Sequence, residues 1–219
     1  MSKVFLFAAT EFEILPTIQH LEDNFQKKSF FEYSMGELSI FPVITGVGSM
    51  LTSLAISRIS NLQEADLLIN AGVAGSYSRE LNIGDVVEVV EDRFGDLGVE
   101  EADGSFTDIF EMELMNGDQF PFEKGVIKNE AQTNYQKVSG ITVNKVHGTE
   151  SSIQKISKKY NAEIETMEGA AFLYTSKIMD IKCIQIRAIS NYVEPRNKDN
   201  WNIQLAIDSL NKALISIMK

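Results

Sequence analysis

The chain has 219 residues, 44% hydrophobic and 23% charged, which suits one well-buried domain and is short for two. With 31 acids against 20 bases the formal charge is -11, and no Lys/Arg cluster stands out, so neither nucleic acid nor an anionic membrane surface is an expected partner. The single Cys183, set in the apolar run KCIQIRAI, excludes an intrachain disulfide and reads as a core thiol. Only His20 and His147 are available as imidazole ligands, at no metal-binding spacing, so no metal and no cofactor is expected. The start MSKVFLFAATEFE lacks the pattern of a secretion signal, and no run approaches the roughly 20 apolar residues of a membrane span. A cytoplasmic protein is expected.

Residues 4–9 form a continuous apolar run, the mark of a strand buried on both faces. Residues 11–21 follow as a helix with Thr10 as N-cap, although Pro16 falls inside it. Residues 38–44 read as a second strand ending in the loop TGVGSM, after which Leu51, Leu54, Ala55 and Ile59 recur at helical spacing. A third strand covers 65–71 and leads into the glycine-bearing turn GVAGSY; a fourth covers 85–90. From Arg93 to about Glu123 the chain is acidic and irregular, a long loop without the Pro/Ser bias of a linker. Beyond it, 141–144 is a short strand, 151–160 a helix capped by Ser151 or Ser152, and 168–179 another helix. The chain closes with a buried strand at 183–189 and an amphipathic helix at 202–218. Strands alternating with helices predict an α/β layered fold with a largely parallel sheet, whose sites lie at the carboxyl ends of strands.

Most candidate residues fall at those ends. Gly46-Val47-Gly48 and Gly72 to Gly75 follow two strands; each is either a tight turn or backbone shaped to approach a ligand. Neither matches a Walker loop or a dinucleotide fingerprint. Glu11 and Glu13 sit in a first helical turn, where an acid is favourable without any chemistry, or where one could serve as a base for water. Glu168 also opens a helix, ahead of the small run Gly169-Ala170-Ala171, and a carboxylate there can accept two hydrogen bonds from vicinal hydroxyls. Asn191 follows a buried strand and both donates and accepts, which suits a purine edge, while also suiting an ordinary turn. Arg187 lies within the buried run and requires a partner, structural or ligand.

These stretches together resemble the nucleoside phosphorylase/nucleosidase family over nearly the whole chain: FAATEFE, TGVGSM, NAGVAGSY with IGDVV, ETMEGAAF and RAISN. The resemblance implies a single domain over 1–219, a three-layer α/β/α sandwich around a central mixed, largely parallel sheet. It implies Glu13 as the acid that activates water, Gly72, Val73, Ala74 and Gly75 as ribose and base lining, and Met167 and Glu168 as the ribose grip. It places Asn191 against the base, where adenine-specific members carry Asp; Asn suits a 6-oxopurine. Thr142, Val143 and Asn144 match the base-stacking segment without its aromatic ring. Within the family, GDLGVEEADG, ETMEGAAF and SNYVEPRNKDNW are most similar to the futalosine hydrolase branch, which implies release of hypoxanthine from a nucleoside whose 5′ group bears a benzoate. Arg196, Lys198 and Lys145 are cation candidates for that group, each equally explained as solvated charge, and Phe106 in the acidic loop 95–110 is an apolar candidate, within one chain or across a dimer. The implied partners are a purine nucleoside, water as co-substrate, and a second copy of the chain in a homodimer or higher homo-oligomer.

Overall fold

Residues 2–218 are described by the computed structural model. In chain order they form β1 (Ser2–Ala8), α1 (Glu11–Asn24), β2 (Gln26–Ser29), β3 (Glu32–Met35), β4 (Leu38–Ile44), α2 (Ser49–Ser57) and β5 (Leu67–Ser76). They continue with β6 (Val86–Asp92), β7 (Gly98–Glu100), β8 (Phe106–Asp108), β9 (Phe122–Glu123), β10 (Val126–Lys128), β11 (Gln136–Thr142) and α3 (Glu150–Tyr160). The last elements are β12 (Ile164–Thr166), α4 (Gly169–Ile178), β13 (Cys183–Tyr192) and α5 (Ile203–Ile217).

β1 is apolar from Val4 to Ala8 because it lies between β4 and β5, parallel to both, with helices over each face. Its even side chains, Val4, Leu6 and Ala8, join the core under α1 and α5. Phe5 and Phe7 point the other way, into the core built with Ile56 of α2 and Phe172 and Leu173 of α4. This gives the layered α/β architecture with a central mixed sheet. α1 starts on a reciprocal capping box between Thr10 and Glu13 and runs through Pro16 unbroken. The first and last helices are tied together, since Asn211 of α5 accepts from Thr17 N (3.0 Å) and donates to the Glu13 carbonyl (2.9 Å).

The sheet does not stay open. β5 pairs with β12, β12 with β11, β11 with β6, β6 with β13, and β13 returns to β5, so five strands close a ring. Ala74, Val87, Val89, Val138, Ile164 and Ile189, at least one from each of those strands, fill a single apolar cluster with Leu81. Ring closure requires a long β5, and here the structure corrects the sequence reading. The GVAGS stretch is not a turn but the second half of the strand. Neither Gly72 nor Gly75 has positive φ; their job is to let other groups cross the strand closely. A Cβ on Gly72 would stand 2.3 Å from Arg187 Nη1 and 2.8 Å from Glu13 Oε1.

The loop after β4 is a true turn, with Gly46 at φ 84 and Gly48 at φ 97. The expected apolar face of α2 differs as well: Thr52 and Ile56 are its buried residues, whereas Met50 is 75% and Leu54 50% exposed. The acidic segment after β6 is more ordered than a loop. β7 and β8 pair as a hairpin, held on α3 by Lys155 donating to the Gly104 carbonyl (2.6 Å) and Lys159 to that of Phe106 (2.9 Å).

Gly72→Ala tests the reading of β5. The added methyl has to displace the Arg187 guanidinium or the Glu13 carboxylate, so the variant loses about 1–3 kcal/mol in a denaturant titration. A turn glycine with ordinary φ and open space would tolerate the change.

Candidate active site

A cavity of about 390 Å³ opens at the carboxyl ends of β1, β5 and β13, with the start of α5 on one side and β12 on the other. Glu13, Glu168 and Asn191 all line it, three residues from distant parts of the chain.

Glu13 stands in the first turn of α1, 9% exposed, with both oxygens engaged. Its Oε2 accepts from Thr10 N and Thr10 Oγ1 (both 3.0 Å), and Oε1 accepts from Val73 N across on β5 (3.2 Å). The result is a carboxylate of fixed orientation at the cavity wall.

Glu168 is the N-cap residue of α4 and 4% exposed. Its Oε1 accepts the Gly48 N–H (3.0 Å), so the glycine turn after β4 faces this carboxylate. Its Oε2 pairs with Arg187 Nη1 at 3.5 Å. Burial pushes the Glu168 carboxyl above the ordinary glutamate value; Arg187 and the Gly48 N–H pull it back in part, and the charge of Glu13 adds to the rise. Arg187, 1% exposed, is thus a structural partner: Nε donates to Gln185 Oε1 (3.2 Å) and Nη2 to Asn70 Oδ1. Gln185 in turn donates to Asp92 Oδ2 (3.0 Å), which completes a buried polar chain behind the ribose-binding candidate.

Asn191 sits one residue past a bulge. The β5–β13 register pairs Ile189 with Ala74 and then Asn191 with Gly75, leaving Ser190 as the extra residue. The bulge turns both side chains toward the cavity. Asn191 Oδ1 accepts from Ser190 Oγ (2.8 Å) and Nδ2 donates to the Tyr192 carbonyl (2.9 Å), so one N–H and one lone pair remain for a ligand.

Val73, Ala74, Gly75 and Met167 also line the cavity, while Gly72 lies behind it, under Glu13 and Arg187. Thr142, Val143, Asn144 and Phe106 do not line it either. Thr142 is buried and caps α4 from its side chain, accepting from Ala170 N (2.7 Å) and donating to Asp92 Oδ1 (3.0 Å). Val143 is fully buried in the core beside α3, and Asn144 turns away to Asp96 (2.6 Å). Val146, a few residues on, lines the cavity instead. Phe106 packs under the Lys159 ammonium (5.5 Å) on the hairpin, off the cavity of its own chain. Of the cations, Arg196 reaches the wall, stacked 4.9 Å from Trp201; Lys145 and Lys198 do not line it.

The sequence reading also missed Glu165. It is 4% exposed, lines the cavity, and binds Tyr77 and His147. Its signal was present in ETMEGAAF, three residues before Glu168. Among the described residues no cluster of His, Cys, Asp and Glu is arranged to hold a metal ion, and no helix is long and apolar enough to cross a membrane.

A mixed sheet with two carboxylates and an amide around one cavity at the strand ends is the arrangement of a small-molecule site in an α/β protein. The family model of the phosphorylase superfamily matches residues 3–218, and the chain belongs to that family. It is 27% identical over 173 residues to a futalosine hydrolase of Thermus thermophilus, covering 78% of this chain and 77% of that one. It is 25% identical over 203 residues to a 5′-methylthioadenosine/S-adenosylhomocysteine nucleosidase of Maridesulfovibrio salexigens, covering 87% and 86%. Among solved structures, a futalosine hydrolase of Helicobacter pylori superimposes with TM-score 0.79 at 14% identity, over 99% of this chain and 97% of that one. An enzyme hydrolysing N-glycosyl bonds, the class expected from the sequence, is the class of those relatives.

Asp92 offers a test of the buried polar chain. Burial raises its carboxyl to about 6 despite hydrogen bonds from Gln185, Thr142 and the Arg93 N–H. The native state therefore holds a proton that the unfolded chain has released, and stability falls as pH rises from about 3.8 through about 6. At about 1.4 kcal/mol per unit, Asp92→Asn should flatten a slope worth on the order of 3 kcal/mol, read from urea midpoints between pH 4 and pH 7. A parallel slope in wild type and variant would assign the pH dependence elsewhere.

Proposed function

We propose that the protein is an N-ribosyl hydrolase of purine nucleosides, cleaving futalosine to hypoxanthine and dehypoxanthine futalosine on the futalosine route to menaquinone. The observation that carries this reading is the carboxylate pair Glu13 and Glu168 on one cavity with Asn191, not an aspartate, beside them. The C1′–N9 bond breaks with its electron pair moving to the purine, and an oxocarbenium-like sugar develops. Glu13 takes a proton from the water that attacks C1′. Glu168, held by Arg187 and Gly48, accepts hydrogen bonds from the 2′ and 3′ hydroxyls. Asn191 donates to the base and steadies the charge arriving there. Arg196 at the wall is the cation best placed for a carboxylate on the 5′ group. The cytoplasm is the compartment this reading implies.

A second reading is supported by the nucleosidase relatives: hydrolysis of methylthioadenosine or S-adenosylhomocysteine. Chromatography of purified protein with each substrate separates them, hypoxanthine from futalosine supporting the first and adenine the second. Phosphate-dependent cleavage would instead make the protein a phosphorylase. Ligand binding without any base release would make it a non-catalytic nucleoside-binding protein. Glu13→Gln should lower kcat roughly 100- to 10,000-fold. Glu168→Ala should be nearly inactive through loss of ribose positioning.

The exposed residues Val47, Met50 and Leu54 beside the cavity mouth favour a homo-oligomer, and we place a second copy there. Leu54→Asp should shift the mass seen in light scattering toward the monomer, and an unchanged mass would move the interface elsewhere.

A further inference from the structure

Beside the main cavity lies a recess of about 70 Å³, lined among others by Gly75, Val146, His147, Glu165, Asn191 and Trp201. Two of its walls carry side chains that the mechanism above leaves unused. Glu165, at the β12 edge, is 4% exposed and accepts on both oxygens: Oε1 from the His147 backbone N–H (3.0 Å), Oε2 from the Tyr77 hydroxyl (2.7 Å). The same Oε2 meets His147 Nδ1 directly. A carboxylate only accepts, and the Tyr77 proton is already directed to it, so the proton on the neutral imidazole belongs on Nδ1. That assignment fixes Nε2 as an acceptor, and no protein group among the described residues hydrogen-bonds it. Burial and the neighbouring Glu165 charge raise the Tyr77 hydroxyl far above its ordinary value, so it remains a donor and keeps the arrangement in one state.

We propose that His147 is a specificity-determining residue that accepts the N1–H of a 6-oxopurine through Nε2, with Glu165 and Tyr77 as its positioning residues. The proposal rests on the nucleoside-hydrolase reading above and names the chemistry of its base end. A lactam purine shows a donor at N1 beside an acceptor at the six-position. The recess offers the complement, an imidazole acceptor and the spare N–H of Asn191. Adenine shows the reverse pattern, and its N1 lone pair would meet the Nε2 lone pair with neither proton nor water between them. A site built to pair with one edge leaves its own polar group unpaired against the other, and that mismatch discriminates.

The test is calorimetric binding of free hypoxanthine, adenine and 1-methylhypoxanthine to the intact protein, alongside base release from the matching nucleosides. Wild type should prefer hypoxanthine over both other bases. His147→Ala should shrink the hypoxanthine-over-adenine ratio roughly 10- to 100-fold. Glu165→Gln can turn an amide N–H toward Nδ1 and move the imidazole proton to Nε2, so the preference should swing toward adenine. A mere brace for the loop would weaken all bases equally. An unchanged ratio in His147→Ala, or a wild type that binds 1-methylhypoxanthine as well as hypoxanthine, would overturn the proposal. The wild-type comparison decides alone should the variants fail to fold. Base binding needs no turnover, so a protein that discriminates bases yet releases none defeats the hydrolase reading and leaves the role of His147 standing. One that releases base with an indifferent ratio does the opposite.

Discussion

The buried contact between Arg187 and Glu168 is the constraint around which the site is arranged. An isolated guanidinium in this interior would be prohibitively costly to desolvate, so its surroundings supply a partner to each of its three nitrogens. Asn70 comes from β5, Gln185 from two residues earlier on β13, and Glu168 from the start of α4. The strand in front of it gives up a side chain at Gly72 to make room. Burial pushes the Glu168 carboxyl up, and that cation and the Gly48 N–H pull it back toward the charged form. Placing one acid in the cavity has therefore dictated residues on two strands, a helix start and a turn.

The two ends of the site obey different rules. Around Glu13 and Glu168 both carboxylates are anchored in main-chain or buried side-chain partners, which gives that end rigidity. Around Asn191 the shaping element is a bulge, a local insertion that leaves the neighbouring ladder intact. The end at Asn191 can be altered by changing residues 190 and 191, and the loop that carries Val146 and His147, without disturbing the two carboxylates. A family that keeps one bond-breaking geometry while changing its base would be expected to divide its site in this way.

Much of this was legible in the sequence. The run 4–9 announced β1 because a strand covered on both faces has no polar face to hide. Thr10 and Glu13 announced α1 because a capping box is a local device. Glu168 and Asn191 stood out because each sits where an element begins or ends, whereas Glu13 alone reads as an ordinary helix-start acid and was singled out by the family resemblance. What escaped was whatever depends on a partner far away in the chain. Gly72 and Gly75 looked like turn residues because a glycine that admits an arginine is indistinguishable, in sequence, from one that bends the chain. Thr142 and Val143 were drawn to the base by their likeness to the family's base-stacking segment, yet the closing of the ring turned them inward. Glu165 and His147 acquire meaning only when β12 and β5 meet and bring Tyr77 alongside.

The tie between Asn211 and the helix of Glu13 reaches beyond packing. Synthesis runs from N- to C-terminus, so Glu13 is made 198 residues before the amide that clamps its backbone carbonyl. β13, which supplies Arg187 and Asn191, also lies late in the order of synthesis. Glu13 thus stays unsupported until β13 and α5 have been made. Assembly of the cavity waits on those two elements, and a nascent fragment that carries the FAATEFE motif without them has no route to a finished site.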